Sequence, residues 1–163
     1  MTYLSNNVNS TLDIIKYPNA ILMTPSEDID IMGPQRKEYV NFIDKMEKMY
    51  NGSSPWGYMV GLAAPQVGKN WNVFMALNNV FINPKMEVLS LAGYSDLQEG
   101  CYSLDKERYD YPVRRAYKVK LSWVDINGEP YSKKFIGRDA QVIQHEMDHL
   151  MGKTCVDGGI VKH

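Results

Sequence analysis

The sequence predicts an α+β fold in which mostly antiparallel sheets pack around one central helix near the end of the chain. Short apolar or alternating stretches fill the middle of the chain, without the regular strand–helix alternation of a parallel sheet. Helical patterns lie before and after these stretches. The 163 residues are enough for one core and contain no internal repeat, so we expect a single domain over residues 1–163.

Composition narrows the class of protein. Hydrophobic residues make up 44% of the chain and charged residues 23%, as in soluble globular proteins. The net charge of -1 gives no footprint for nucleic acid, and no apolar run approaches the roughly 20 residues that span a bilayer. The N-terminus lacks the pattern of a signal peptide, and a chain of this size does not need the one disulfide that its two cysteines could form. We therefore expect a cytoplasmic protein that binds neither nucleic acid nor membrane.

The first long helix is predicted over Gln35 to Tyr50. Before it, Pro18, Pro25 and Pro34 interrupt residues 1–34, which we expect to be irregular. Within it, apolar side chains recur at steps of three and four residues, with charged residues between them: Tyr39, Phe42, Ile43, Met46, Met49 and Tyr50. This stripe indicates a face that packs on the core.

The middle of the chain predicts strands joined by turns. The strands are expected at residues 71–77, 80–82, 86–91, 94–97, 117–123 and 131–136. The turns between them are signalled by Asn78-Asn79, Gly93 and Asn127-Gly128. These connections are typical of an antiparallel sheet.

Residues 59–68 form an unusual segment of small and apolar residues framed by glycines, with Gln66 as its one polar side chain. Small residues allow a backbone to approach another backbone or a ligand closely. A buried amide in such a place needs hydrogen-bond partners, or is held ready to donate to a ligand. A tight turn packed on the helix explains the composition equally well, so the residues alone leave both interpretations open.

A second helix is predicted close to the end of the chain. Asp139 can cap its start, and Gly152 follows as a stop. Its apolar positions are Ala140, Val142, Ile143, Met147 and Leu150.

This helix carries an HExxH motif, in which His145 and His149 are four residues apart. Four residues turn through about 400°, so both imidazoles lie on one face, one turn apart, and can bind a single metal ion. Glu146 lies about 100° away, where it can act as a general base without ligating the metal. The motif arises by chance on ordinary helices, but here it contains two of the three histidines of the chain. We therefore expect a metal site.

A catalytic site of this kind usually has a third protein ligand. Cys155 is one candidate, because Gly152 and Cys155 follow His149 with the spacing of the HExxHxxGxxH metallopeptidases, Cys155 standing where the third histidine would be. Cys101, far upstream, is the other. The spacing of residues alone does not choose between them.

Three separated segments resemble, in order and spacing, the three motifs of the peptide deformylases: Gly61-Leu62-Ala63-Ala64-Pro65-Gln66, Glu99-Gly100-Cys101-Tyr102-Ser103 and Gln144-His145-Glu146-Met147-Asp148-His149. The resemblance extends more weakly from about Lys16 through Gly152. It implies that Cys101, rather than Cys155, binds the metal together with His145 and His149.

The same resemblance implies the remaining catalytic roles. Glu146 is expected to be the catalytic carboxylate. Gln66 and the backbone N–H of Tyr102 are expected to form the oxyanion hole. An extended substrate would pair with Val60 and Gly61 as an added strand.

The side chain of the substrate methionine is expected in an apolar pocket. Val142 and Met59 are candidates for its wall, and the polar Gln141 faces the same region by family position. A polar residue there would broaden or alter the side-chain preference.

The sequence also departs from the family pattern. Met59 replaces a frequent glycine, and Asp105 stands where a proline commonly follows the second motif. Glu99, which we place among the substrate-contacting residues, would pair with Arg114, although this arginine comes one residue late. Arg108 matches an arginine that lies near the substrate in some members.

The resemblance implies a hydrolase that removes the formyl group from N-formylmethionine of newly made polypeptides and releases formate. The thiolate and two imidazoles suit Fe²⁺ or Zn²⁺; the family implies Fe²⁺ in the cell, with Zn²⁺, Ni²⁺ or Co²⁺ as alternatives. We expect a monomer. Many bacterial members extend into a C-terminal helix implicated in ribosome docking, whereas this chain ends at His163, so we expect a C-terminally short bacterial, organellar or phage type for which the resemblance does not by itself imply that contact. The alternatives are a metallopeptidase with Cys155 as third ligand, or a metal-binding module without activity.

Overall fold

The computed structural model describes residues 12–52, 59–104 and 111–157, and its elements confirm the α+β class with antiparallel sheets. In chain order they are α1 (Arg36–Tyr50), β1 (Gly61–Ala63), β2 (Val73–Ala76), β3 (Asn79–Val88), β4 (Tyr94–Glu99), β5 (Tyr111–Ala116), β6 (Lys118–Val124), β7 (Pro130–Ile136) and α2 (Gly137–Leu150). Short 3₁₀ turns lie at Ala20–Met23, Ala64–Val67, Ser90–Ala92 and Cys155–Asp157.

Five strands form an antiparallel sheet in the order β1-β2-β3-β6-β7, and β4 pairs with β5 separately. The sheet is covered on both faces where β2 crosses it, since all four residues of β2 are buried. Val73 and Met75 pack in the core that contains the α1 stripe, whereas Phe74 and Ala76 pack in the core that contains α2. This two-sided burial explains the unbroken apolar run in the sequence.

The hairpin between β2 and β3 turns one residue earlier than predicted. Leu77 and Asn78 both have positive φ, at 52° and 59°, and Ala76 pairs with Asn79. Positive φ is uncommon for leucine, so composition favoured the asparagine pair instead. The two strands predicted after this turn are one strand, β3, with an irregularity in pairing between Ile82 and Lys85.

Two strands were missed by the sequence pattern. β1 has only three residues and lies in the glycine-framed segment, whose composition suggested a turn. β5 contains Pro112, Arg114 and Arg115, which interrupt the alternation of apolar and polar residues that is typical of a strand. In both cases pairing with a neighbouring strand decides the conformation, as expected for a context-dependent β-propensity.

Both predicted helices form. α1 buries the predicted stripe of six side chains. α2 ends at Leu150, and Gly152 follows with φ 76°, as predicted for the stop. The prediction that Asp139 caps α2 is wrong: the helix begins at Gly137, directly after β7, and no side chain caps it.

The second half of α2 is buried almost all round, including its polar side chains. It packs against β1, β2, β5 and β7, and it also contacts the Ala64–Val67 turn. Residues of α2 and of the end of β4 line the same cavity. Buried polar groups need partners, and this helix therefore becomes the place where a site is assembled. Among the described residues, neither helix combines the length and apolarity needed to cross a membrane.

Candidate metal centre

Three donor side chains converge at the centre of the fold. His145 and His149 lie one turn apart on α2, with ring centroids 5.1 Å from each other, and Cys101 follows the end of β4. Their candidate ligand atoms all lie within 4.8 Å of one another, and Cys101 Sγ is 3.3 Å from His149 Nε2. One thiolate and two imidazoles within this distance suit one divalent ion of the zinc or iron type.

The electrostatics of the triad favour a thiolate. Burial alone raises the pKa of Cys101, but the charge of His149 and hydrogen bonds with both histidines hold it well below its usual range. The thiolate is the form that ligates a metal. In contrast, burial raises the pKa of Cys155 to about 12, and Cys155 is not part of the donor group.

Glu146 lies beside the triad and is buried. Its Oε2 has no hydrogen-bond partner among the residues that the structure describes. Desolvation by burial raises the pKa of Glu146 to about 7, against the opposing charges of the histidines. A carboxylate in such an environment can take up and release a proton near neutral pH.

Gln66 is held by hydrogen bonds at both ends of its amide. Its Oε1 accepts from the Ala63 N–H at 3.0 Å, and its Nε2 donates to Cys101 Sγ and Ser103 Oγ, both at 3.3 Å. Of the two interpretations that composition left open for this segment, the geometry supports an amide fixed at the site. The amide nitrogen of Gln66 thus faces Cys101 of the donor triad and the neighbouring Ser103.

Behind the donors lies a buried polar network. Glu99 Oε1 lies 2.7 Å from His145 Nδ1 and accepts from Arg115 at 2.7 Å, while its Oε2 accepts from Arg115 at 2.9 Å and from Gln141 at 3.2 Å. Arg115 also donates to Asp148 Oδ2 at 2.6 Å. Burial alone raises the pKa of Glu99, but Arg115 and His145 outweigh it and lower the pKa to about 2. An ionised Glu99 therefore fixes the His145 ring.

The expected pairing of Glu99 with Arg114 is wrong, because Arg115 takes that place. Side chains alternate along β5, which turns Arg115 inward and leaves Arg114 on the outer face with a side chain 64% exposed. The Nε of Arg114 lies 3.9 Å from Oδ1 of Asp96, its cross-strand neighbour on β4. A sequence reading that had recognised β5 as a strand would have found the correct arginine.

The chain before α1 ties together the two loops of the site, which the sequence did not predict. The Ile15 N–H donates to the Gln66 carbonyl at 2.7 Å, and the Tyr17 N–H donates to the Ser103 carbonyl at 2.7 Å. Lys16 Nζ donates to the Tyr102 carbonyl at 2.6 Å. One short segment thus holds the loop of Gln66 against the loop of Cys101 and Tyr102.

A cavity of about 320 Å³ opens onto the triad. It is lined by the following residues: Val60, Gly61, Gln66, Gln98, Glu99, Gly100, Cys101, Tyr102, Arg138, Gln141, Val142, His145 and Glu146. Met59, a candidate for the pocket wall, lies instead in the core beside α1. Arg108 and Asp105 lie outside the described residues.

Gly61 permits the close packing of β1 on α2. A Cβ at this position would overlap the carboxylate of Glu146, at 2.7 Å from its Cδ and 3.0 Å from its Cγ. Only glycine at position 61 allows the Glu146 side chain to keep its position. The glutamate of the third motif therefore depends on the glycine of the first.

The fold and this donor set place the chain among the metal-dependent hydrolases with an HExxH helix. A family model described as polypeptide deformylase matches residues 11–160. The chain is 35% identical to a peptide deformylase of Aquifex aeolicus over 89% of this chain and 85% of the relative, and 39% identical to peptide deformylase 1 of Clostridium perfringens over 70% and 76%. The chain belongs to the polypeptide deformylase family.

Solved structures agree with this assignment. The Plasmodium falciparum peptide deformylase in complex with an inhibitor is similar with a TM-score of 0.76 and 34% identity, covering 90% of this chain and 88% of that one. A probable peptide deformylase from synechococcus phage S-SSM7 is similar with a TM-score of 0.76 and 29% identity, covering 91% of this chain and 99% of that one.

Proposed function

We propose that this chain is a metal-dependent hydrolase that removes the formyl group from N-formylmethionine of newly made polypeptides and releases formate. The observation that carries the proposal is the convergence of the Cys101, His145 and His149 donors with the buried carboxylate of Glu146, in a chain of the deformylase family. The open cavity gives a substrate access to this group.

The donor triad is proposed to hold one divalent ion. Such an ion supplies Lewis acidity, which lowers the pKa of water and polarises a carbonyl oxygen. The ionised Glu99 keeps the His145 ring in one orientation, and Arg115 neutralises the charge of Glu99. We propose Fe²⁺ as the ion in the cell, with Zn²⁺, Ni²⁺ and Co²⁺ able to occupy the same donors.

Glu146 is proposed to carry the protons of the reaction. It accepts a proton from the water that attacks the formyl carbon, and it donates a proton to the amine when the C–N bond breaks and formate leaves. Its pKa of about 7 suits both transfers at neutral pH.

Gln66 and the backbone N–H of Tyr102 are proposed to stabilise the oxygen that becomes negative during attack. Gln66 Nε2 donates to Cys101 Sγ at 3.3 Å, and we propose that this N–H donates instead to the oxygen of a bound substrate. One such donor contributes about 10²–10³ in kcat.

The peptide is proposed to bind along the edge of the sheet. β1 is the terminal strand of the five-stranded sheet, and Val60 and Gly61 lie at this edge on the cavity wall. An extended peptide can add to such an edge through main-chain hydrogen bonds. The methionine side chain then lies against the apolar Val142, and Glu99 contributes to the site through His145 rather than through the substrate.

The partners are proposed to be formylmethionyl nascent peptides, met by a cytoplasmic, monomeric protein. Residues 1–163 are proposed to act as one catalytic domain.

Formate release tests the function directly. Purified protein loaded with Fe²⁺ or Ni²⁺ under anaerobic conditions should release formate from formyl-Met-Ala-Ser, measured with a formate dehydrogenase coupled assay. Cleavage of internal peptide bonds without formate would instead favour a metallopeptidase. Formate release equal to that of the metal-free protein would mean a binding module without activity.

A further inference from the structure

The cavity is lined by both apolar and polar side chains. Val60 and Val142 are apolar, whereas Gln98 and Gln141 are amides and Arg138 is a cation. Gln141 is oriented by donating to Glu99 at 3.2 Å. A pocket built only for a thioether side chain does not need a cation and two amides on its wall.

The fold does not explain Arg138. Its side chain is exposed and makes no hydrogen bond or ion pair with any residue in the described parts of the chain. It lies in the first turn of α2, where the helix dipole disfavours a positive charge. The guanidinium therefore makes no hydrogen bond or ion pair within the described residues that would stabilise the fold, yet it lines the cavity that leads to the metal donors.

The other charges of the cavity wall are already accounted for. Glu99 is paired with Arg115 and His145, and Glu146 is buried beside the donors. On the same turn of the helix, Asp139 is exposed and does not line the cavity. Among the described residues, Arg138 is thus the one cation on the cavity wall that lacks an anionic partner.

Along α2, Arg138 lies about as far from His145 as the second and third residues of an extended substrate lie from its formyl group. Arg138, Gln141 and His145 follow one another at three- and four-residue steps and share one face of the helix. Seven residues advance about 10 Å along a helix, and an extended peptide advances about 3.3 Å per residue. A peptide whose formyl carbon lies at the donors, and which runs along the cavity towards the start of α2, brings its second and third residues within reach of the long arginine side chain.

We infer that Arg138 is a specificity residue that selects formylmethionyl peptides with an acidic side chain at the second or third position. The inference rests on the proposed deformylase function. A carboxylate and a guanidinium form charge-assisted, bidentate hydrogen bonds, which a lysine or a glutamine on the substrate cannot form.

Matched peptides test the inference. C-terminally amidated formyl-Met-Glu-Ser and formyl-Met-Ala-Glu are compared with the same peptides carrying Gln or Lys in place of Glu, so that the only carboxylate is the side chain in question. The kcat/KM should be about threefold to fivefold higher for Glu than for Gln at one of these positions, as for an exposed ion pair, and lowest for Lys. Raising the salt to about 1 M, where the Debye length is about 3 Å, should reduce the preference.

Variants assign the preference to a residue. In Arg138→Gln the ratio of Glu to Gln peptide should fall to about one, and in Arg138→Glu the Lys peptide should become the better substrate. Arg114→Gln is the matched control, because Arg114 is exposed on the outer face of β5 and away from the cavity; it should keep the parent ratio.

The outcomes separate this inference from the proposed function. Equal kcat/KM for the Glu, Gln and Lys peptides, together with clear formate release, would overturn the role of Arg138 and leave deformylation intact. A parent-like ratio in Arg138→Gln would also overturn it. The absence of formate from every peptide would instead contradict the proposed function itself.

Discussion

Gly61→Ala should reduce catalysis far more than stability, because its one added methyl group displaces Glu146. The new Cβ would lie 2.7 Å from Cδ and 3.0 Å from Cγ of Glu146, whereas carbon atoms in good contact are about 3.5–4.0 Å apart. The carboxylate must therefore shift by about 1 Å. The atoms that have to move are the end of a side chain rather than backbone, so the fold can adapt.

The expected loss in kcat is much larger than the expected loss in the free energy of unfolding. A misplacement of about 1 Å at a reacting group can cost about 10²-fold in rate, so kcat should fall by about that factor. Overpacking by one methyl costs about 1–3 kcal/mol, and because the clash is with side-chain rather than backbone atoms, the loss should lie near the lower value. Metal content should remain that of the parent, since the metal donors are not displaced.

Formate release, metal content and urea unfolding of Gly61→Ala measure these three quantities. A double-mutant cycle with Glu146→Ala then tests the cause: with the carboxylate removed, Gly61→Ala should change the residual rate by less than about twofold. Equal fold losses from Gly61→Ala in the parent and in the Glu146→Ala background would show that the glycine acts without the glutamate, contrary to this prediction.

Three further predictions concern the groups around the site. Arg115→Met leaves two buried carboxylates without their cation and should destabilise the fold by about 3–5 kcal/mol in urea unfolding, whereas the neighbouring, exposed Arg114→Met should stay within about 0.5 kcal/mol; similar losses would contradict the buried network. Cys101→Ser should lose bound metal on gel filtration while Cys155→Ser keeps it, and the reverse result would make Cys155 the ligand. Lys16→Met removes the hydrogen bond that holds the loop after Cys101 and should lower kcat about threefold with metal retained; an unchanged kcat would deny this segment a positioning role.

The sequence predicted the elements that carry strong periodic patterns. The α1 stripe and the alternating β6 strand followed from local residue spacing, because one face of each element is buried. The position of His145 and His149 on one helix followed from their four-residue spacing. The convergence of a donor from after β4 with two donors on α2 could not follow from spacing. It depends on how the sheet folds back on the helix, and only the resemblance to a family chose Cys101 over Cys155 as the third ligand.

The features that the sequence analysis missed all depend on how neighbouring elements are arranged, which a local residue pattern does not report. Arg114 was named as the partner of Glu99 from the family pattern alone, but strand alternation along β5 turns the next residue, Arg115, inward. Asp139 was expected to cap α2, but β7 runs directly into the helix at Gly137. The link from Lys16 to the Tyr102 loop joins residues 86 positions apart, which no local pattern reports.

We propose that Glu146 moves protons and does not bind the metal. Glu146→Gln keeps the size of the side chain but cannot carry a proton, so the decisive measurement is metal content by mass spectrometry together with kcat for formate release from one preparation. The variant should keep the full metal content of the parent and have a kcat lower by about 10²–10⁴. Loss of the metal in proportion to activity would contradict it, because Glu146 would then be a ligand.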